Sequence, residues 1–358
     1  MIKKSLVVTA ASLLFLLTGS SAAVAPSSAT DALIAPLFEK NTSETRAVLL
    51  IKDGRLVAKR YGAGYSDANR FISWSMAKSV TAVLIGELVE DGKLTLDAPV
   101  PFVEWQGKDD PRRTITLRHM LHMSSGLNHT EGLDPKEGAA GVLKSDTAST
   151  IFVNRTQDMA ARALTNGMEA KAGTQYEYSS LTSLLLSELI TRQLTDSKDA
   201  KVRAAAYRNF AETRVFKPAG ITGAVLEFDG AGTQIGGSII YMSLDDWGRF
   251  GSLLLAGRGR DGAQVIAPDW LNFLKTPSDT DGGYGGHFWL NKPRPAGSDP
   301  ALFPGRGPET LFSAIGHLGQ WVIVSPDQGL VLVRLGKTND GDLQPVRDAL
   351  ATLVETAE

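Results

Sequence analysis

Apolar residues in this chain follow two rhythms, and the order in which those rhythms appear predicts the architecture. Short apolar runs at 47–51 and 56–58 flank Lys52-Asp53-Gly54-Arg55. That is a hairpin signal, because Asp-Gly tolerates the left-handed backbone of a tight turn. A second pair of runs, 320–325 and 330–334, flanks Pro326-Asp327-Gln328-Gly329 near the C-terminus. Between the hairpins a helical period dominates. It predicts helices over 75–90 (closed by Asp91-Gly92), 114–123, 157–166, 181–194, 198–216, 244–256 and 268–275, with a short one over 31–39 and a last one over 343–355. The stretch 127–154 is irregular and rich in Gly, Asp and Thr, which predicts a long surface loop, and 278–286 and 291–307 read as Gly/Pro loops. Hairpins at both ends with helices between them predict an α+β fold, an antiparallel sheet built from both chain ends and flanked by helices. A mostly helical subdomain, about 81–224, is then inserted into an α/β part formed by about 31–80 and 225–358.

Composition narrows the class. The 358 residues are 43% hydrophobic and 21% charged with a formal net charge of -2, so nothing invites nucleic acid or an anionic membrane. Residues 1–25 read as an export signal: Lys3 and Lys4, an apolar run over 6–17, then small residues around Ala23 and Ala25. That run is too short to span a bilayer comfortably. The expectation is a bacterial periplasmic or secreted protein, residues 26–358, with no stable membrane insertion after cleavage. Cysteine is absent, which removes thiol nucleophiles, thiolate zinc sites and disulfides together.

Three segments carry candidate chemistry. Ser75-Met76-Ala77-Lys78 stands where an extended segment turns into a long apolar helix. One helical turn puts the hydroxyl and the amine on the same face, and a desolvated lysine can lose its proton and help activate the serine. Free N–H groups at a helix start also suit the negative charge of acyl transfer. Tyr178-Ser179-Ser180 opens the helix over 181–194. A tyrosine near an ammonium can have its pKa lowered and serve as a base, whereas the plain alternative is a helix cap preceded by a core tyrosine. Gly316-His317-Leu318-Gly319-Gln320 lies at a strand edge, where glycines admit a substrate to the backbone and a free N–H can bind an oxyanion. No Gly-x-Ser-x-Gly elbow occurs.

In this order the three segments resemble the serine β-lactamase and penicillin-binding superfamily, with Ser-x-x-Lys, Tyr-x-Ser and His-x-Gly in turn. The segments 114–127 and 236–250 extend the likeness to the class C and esterase branch, nearest the 6-aminohexanoate-dimer hydrolase (nylon-oligomer hydrolase) group. The resemblance implies a β-lactamase/transpeptidase-like fold and an acyl-enzyme hydrolase of esters or short linear amides, needing no cofactor and no metal. It implies that Ser75 is acylated and that Lys78 keeps it deprotonated while sharing a proton with Tyr178. Tyr178 then acts as base toward Ser75 and as acid toward the leaving group. The backbone N–H groups of Ser75 and Gln320 would bind the oxyanion, with Ser180, His317 and Gly319 at the substrate. His317 stands where β-lactamases carry a lysine that anchors the substrate carboxylate, and Ser180 where they carry asparagine. An uncharged imidazole is a poorer anchor, which argues against efficient antibiotic hydrolysis.

Two rivals remain. A penicillin-binding protein, D-alanyl-D-alanine carboxypeptidase or weak β-lactamase would share the fold without the same turnover. A metal-binding module could instead use His119, His122 and His129, the first two one helical turn apart, although no His-Glu-x-x-His accompanies them.

Overall fold

A computed structural model describes residues 32–39, 44–132, 144–154 and 156–357, so the export signal read at 1–25 lies outside the described residues. Strand β1 (Glu44–Lys52) folds back onto β2 (Arg55–Tyr61) through Asp53 and Gly54, at φ 48° and 72°. Two successive left-handed residues match the right-handed twist of the flanking strands, so the Asp-Gly signal forms the predicted hairpin. The C-terminal hairpin joins it. Strand β9 (Leu330–Lys337) lies antiparallel to β1, from Glu44 opposite Lys337 to Lys52 opposite Leu330. With β6 (Trp289–Leu290), β7 (Phe312–Gly316) and β8 (Gln320–Ser325) it completes a six-stranded sheet in the order β2-β1-β9-β8-β7-β6. Both chain ends therefore meet at the centre of one antiparallel sheet, as the order of rhythms predicts. A second sheet, β3 (Phe71–Ile72), β5 (Ile240–Met242) and β4 (Val225–Leu226), pairs in the order β3-β5-β4. Strands of two or three residues are too short for an alternating pattern to reveal them.

Strand alternation gives the large sheet two apolar faces. Leu49, Val331 and Val333 face the larger core, which holds helix α1 (Met76–Glu90), α4 (Ser180–Leu194) and α6 (Leu244–Ala256). Val48, Leu50 and Leu332 face a smaller core covered by α8 (Leu343–Thr356) through Val346, Leu350 and Val354. The remaining helices are α2 (Leu117–Leu121), α3 (Met159–Leu164), α5 (Ala200–Ala211) and α7 (Pro268–Leu274). Helix α1 is buried from Met76 through Leu88, which is why its sequence shows almost no polar face. Gly86 lets Trp270 of α7 cross it. A Cβ there would come 2.2 Å from the indole nitrogen, which donates to the Ala82 carbonyl.

Capping shortens several predicted helices. Thr116 accepts from the His119 N–H while the His119 imidazole accepts from the Thr116 N–H, so α2 begins only at Leu117. Asp199 caps α5 by accepting from Lys201 and Val202, and after Ala211 the chain widens into a five-residue π turn, Glu212–Phe216. The predicted 127–154 loop is also not wholly irregular, because Ala148–Val153 forms a wide turn of its own. No helix among the described residues is long and apolar enough to cross a membrane.

Candidate active site

The site is built where β3 runs into α1. Ser73 is locked to β5, its N–H donating to the Ile240 carbonyl and its hydroxyl accepting from the Ile240 N–H. Trp74 follows at φ 45°, a left-handed conformation that costs a bulky residue about 1–3 kcal/mol. That bend delivers Ser75 to the head of α1. The Ser75 N–H belongs to the first turn, where no helical carbonyl can accept it.

Lys78 reaches back along the same face. Its Nζ donates to Ser75 Oγ at 3.0 Å, to Ser180 Oγ at 2.6 Å and to the Gly237 carbonyl at 2.8 Å. The third acceptor explains the Gly236-Gly237 pair. A Cβ on Gly237 would lie 2.4 Å from the Ser180 carbonyl, so only glycine fits between α1 and the start of α4. Burial disfavours the ammonium and lowers the lysine from its ordinary 10.5 to about 8, opposed in part by the nearby Glu131 carboxylate.

Tyr178 precedes the cap of α4, where the Ser179 hydroxyl accepts from the Leu181 and Thr182 N–H groups. Its phenol faces Ser75, and its ring lies 4.7 Å from Lys78 Nζ, held by Trp289 at 5.5 Å and Tyr284 at 5.9 Å between centroids. Burial first, then Glu131, push the phenol well above its ordinary 10; Ser75 pulls the other way. The expectation of a tyrosine whose pKa is lowered by the ammonium is therefore reversed. At neutral pH Tyr178 is a phenol, and Lys78 is the group that can be neutral.

The β7–β8 turn forms the opposite wall. A Cβ on Gly316 would sit 2.2 Å from the Ser73 carbonyl, so this end of β7 lies directly against the Ser75 segment. Here the structure corrects one assignment. Gly316 and Gln320 are the last pair of the ladder, and three residues link them, so the pair exchanges its own main-chain hydrogen bonds. The Gln320 N–H is thereby committed to Gly316, and its buried side chain donates to the carbonyls of His317, Leu318 and Gly336. Gln320 does not line the cleft. Bonding direction alternates along a strand, which turns the Ile315 N–H to the other edge of β7. There β6 has ended: His287, which would continue it opposite Ile315, donates its N–H to Leu121 instead. Ile315 is thus the residue of this edge whose N–H faces the cleft.

His317 is exposed at the rim, edge-on to Trp74 at 5.4 Å. Gly319 also lines the cleft, but its glycine is structural: φ is 78°, a Cβ would meet Trp321 at 2.7 Å, and its carbonyl accepts from buried Arg334 at 2.6 Å. The cleft between these walls has a volume of about 750 Å³. Trp74, Phe152, Trp289 and Trp321 give it an aromatic lining, and among the described residues no lysine or arginine lines it. A second hollow, of about 730 Å³ beside Arg214 and Arg260, contains none of the Ser75 group.

Sequence reasoning missed Glu131. Its carboxylate lines the cleft, accepting at 2.6 Å from the Ser180 N–H, the Ser180 hydroxyl and the Thr147 hydroxyl, and lies 4.0 Å from Lys78 Nζ. No spacing or periodicity singles out one glutamate in an irregular segment. The three histidines of the metal reading do not form a site. His119 caps α2, His122 stacks on Phe273, and His129 sits against the Ala163 carbonyl. No cluster of three metal-ligating side chains occurs among the described residues.

Comparison with known proteins agrees with this architecture. A sequence model of the Beta-lactamase family matches residues 30–356. The 6-aminohexanoate-dimer hydrolase of Paenarthrobacter ureafaciens is 24% identical over 320 residues, covering 86% of this chain and 76% of that protein. Two solved structures share the fold: a penicillin-binding protein homologue from Caulobacter crescentus (TM-score 0.64, 15% identity, 91% of this chain and 96% of that one) and EstCE1, a hydrolase with promiscuous acyltransferase activity (0.64, 13%, 91% and 97%). A sheet closed by both chain ends, a Ser-Lys helix at its edge and a family match over nearly all of the described residues lead to one assignment: the chain belongs to the Beta-lactamase family of hydrolases.

Proposed function

We propose that this chain is a serine hydrolase that forms an acyl-enzyme at Ser75 and acts on carboxylic esters or short linear amides. One observation carries the reading. The Ser75 hydroxyl lies 3.0 Å from a lysine that burial brings to about 8, and the Tyr178 phenol neighbours the same hydroxyl in an open cleft. Neutral Lys78 takes the Ser75 proton as Oγ attacks the substrate carbonyl carbon. The oxyanion is held by the main-chain N–H groups of Ser75 and Ile315. As the carbon–heteroatom bond breaks, Tyr178 gives its proton to the leaving alcohol or amine and is reprotonated by the Lys78 ammonium. Water then repeats the sequence on the acyl-enzyme in reverse.

The substrate class follows from the lining. Aromatic walls with no lysine or arginine among the described lining residues favour a neutral acyl group over the carboxylate-bearing ring of a β-lactam. The resemblance to a 6-aminohexanoate-dimer hydrolase is consistent with linear substrates. The test is a panel of p-nitrophenyl esters, 6-aminohexanoate dimer and a chromogenic cephalosporin, with intact-mass detection of the acyl adduct. Ester turnover and an adduct on Ser75, both lost in Ser75→Ala with circular dichroism unchanged, are expected. Wild-type turnover in Ser75→Ala would refute the assignment.

A further inference from the structure

The Lys78 amine can accept a proton from Ser75 only if its lone pair faces Ser75 and nothing else. The three acceptors around Nζ are Ser75 Oγ, Ser180 Oγ and the Gly237 carbonyl. A carbonyl cannot donate, so Gly237 never occupies the lone pair. Ser180 could, since a hydroxyl has one proton to give. That proton is already committed: Ser180 Oγ donates to Glu131 Oε1 at 2.6 Å, while Glu131 Oε2 fixes the same residue through its N–H. The carboxylate is itself clamped. The Thr147 hydroxyl donates to Oε2, and the Ser145 hydroxyl donates to the Glu131 carbonyl at 2.9 Å. With Ser180 held as an acceptor, a neutral Lys78 keeps two N–H groups on Ser180 and Gly237 and directs its lone pair at Ser75.

We propose that Glu131 is a positioning residue which, through the Ser180 hydroxyl, aims the Lys78 lone pair at Ser75 and balances the ammonium formed when Lys78 takes the serine proton. The proposal rests on the acyl-enzyme reading above. The other titratable groups around the pair are Tyr178, Tyr284 and Glu177, all raised chiefly by burial, His129 and His287, both lowered by it, and Asp146, which accepts from the Thr130 N–H. Glu131 is the carboxylate at 4.0 Å from the amine, so its charge is the one that opposes the ammonium.

The test is the pH dependence of kcat and KM for a neutral p-nitrophenyl ester in wild type, Glu131→Gln and Ser180→Ala, each first checked for acylation by intact mass. The glutamine keeps the shape and removes the charge. In Glu131→Gln the acid limb should move down by about one pH unit or more, since a charge 4 Å away in a partly shielded site is worth that much. Its plateau kcat should fall about tenfold or more with KM little changed, because Ser180 is released to donate to Lys78. Ser180→Ala keeps both charges, so its limb should stay near the wild-type position while kcat falls. Should Glu131→Gln fold poorly, Ser180→Ala alone decides, and wild-type kcat in it overturns the proposal. A Glu131→Gln enzyme with wild-type limb and kcat also overturns it. Absence of any Ser75 adduct in wild type would instead sink the acyl-enzyme reading, so the two failures are distinct.

Discussion

Replacing Lys78 with methionine tests the central electrostatic claim without relying on a substrate. Lowering the amine from 10.5 to about 8 raises its neutral fraction at pH 7 from about 1 in 3000 to about 1 in 11, a gain of roughly 300-fold in available base. The same shift acts on stability. The folded state holds the proton more weakly than the unfolded chain, so below about pH 8, where both forms are protonated, the protein carries the full cost of burying an ammonium. That cost is about 3 kcal/mol, and it fades as pH rises from 8 toward 10.5. Between pH 7 and 9.5 the wild type should therefore gain about 2 kcal/mol that Lys78→Met does not. Lost hydrogen bonds to Ser180 and Gly237 offset the variant at either pH and cancel in the comparison. Urea unfolding of both proteins at the two pH values measures this difference of differences. Parallel pH dependences, within about 0.5 kcal/mol, would mean that Lys78 is not desolvated as the structure requires, and its role as a neutral base would fall. Kinetically, the variant should lose the acid limb near pH 8 together with nearly all turnover.

Other expectations follow from the same geometry. Tyr178→Phe should lower kcat at least tenfold, because proton transfer of this kind contributes ~10²–10⁴. The loss should be greater for an amide than for a p-nitrophenyl ester, whose leaving group needs no proton; equal losses on both would remove the phenol from leaving-group protonation. Gly237→Ala places a methyl 2.4 Å from the Ser180 carbonyl and should destabilise by about 1–3 kcal/mol while cutting activity. An unchanged urea midpoint would show that α4 can move aside.

Much of this protein is legible along the chain. The Asp53-Gly54 turn, the Pro326–Gln328 connection and the all-apolar stretch of α1 each encode their element locally, because turn chemistry and periodicity act over a few residues. Ser75 and Lys78 are legible for the same reason, since one helical turn sets their distance. What the sequence could not supply is anything that depends on which remote atoms surround a group. Glu131 becomes a partner of Ser180 only after folding brings together segments 49 residues apart. The Ile315 N–H turns toward the cleft, and that of Gln320 does not, because β6 stops two residues short of one and the ladder continues through the other. Tyr178 is a phenol rather than a phenolate because burial and the Glu131 carboxylate outweigh the opposing influence of Ser75, a balance of distances and desolvation that no linear pattern contains. Local geometry thus places Ser75 beside Lys78, while the surroundings that lower the lysine, raise the Tyr178 phenol and set Glu131 against Ser180 come only from the tertiary packing, through the field and the water it excludes.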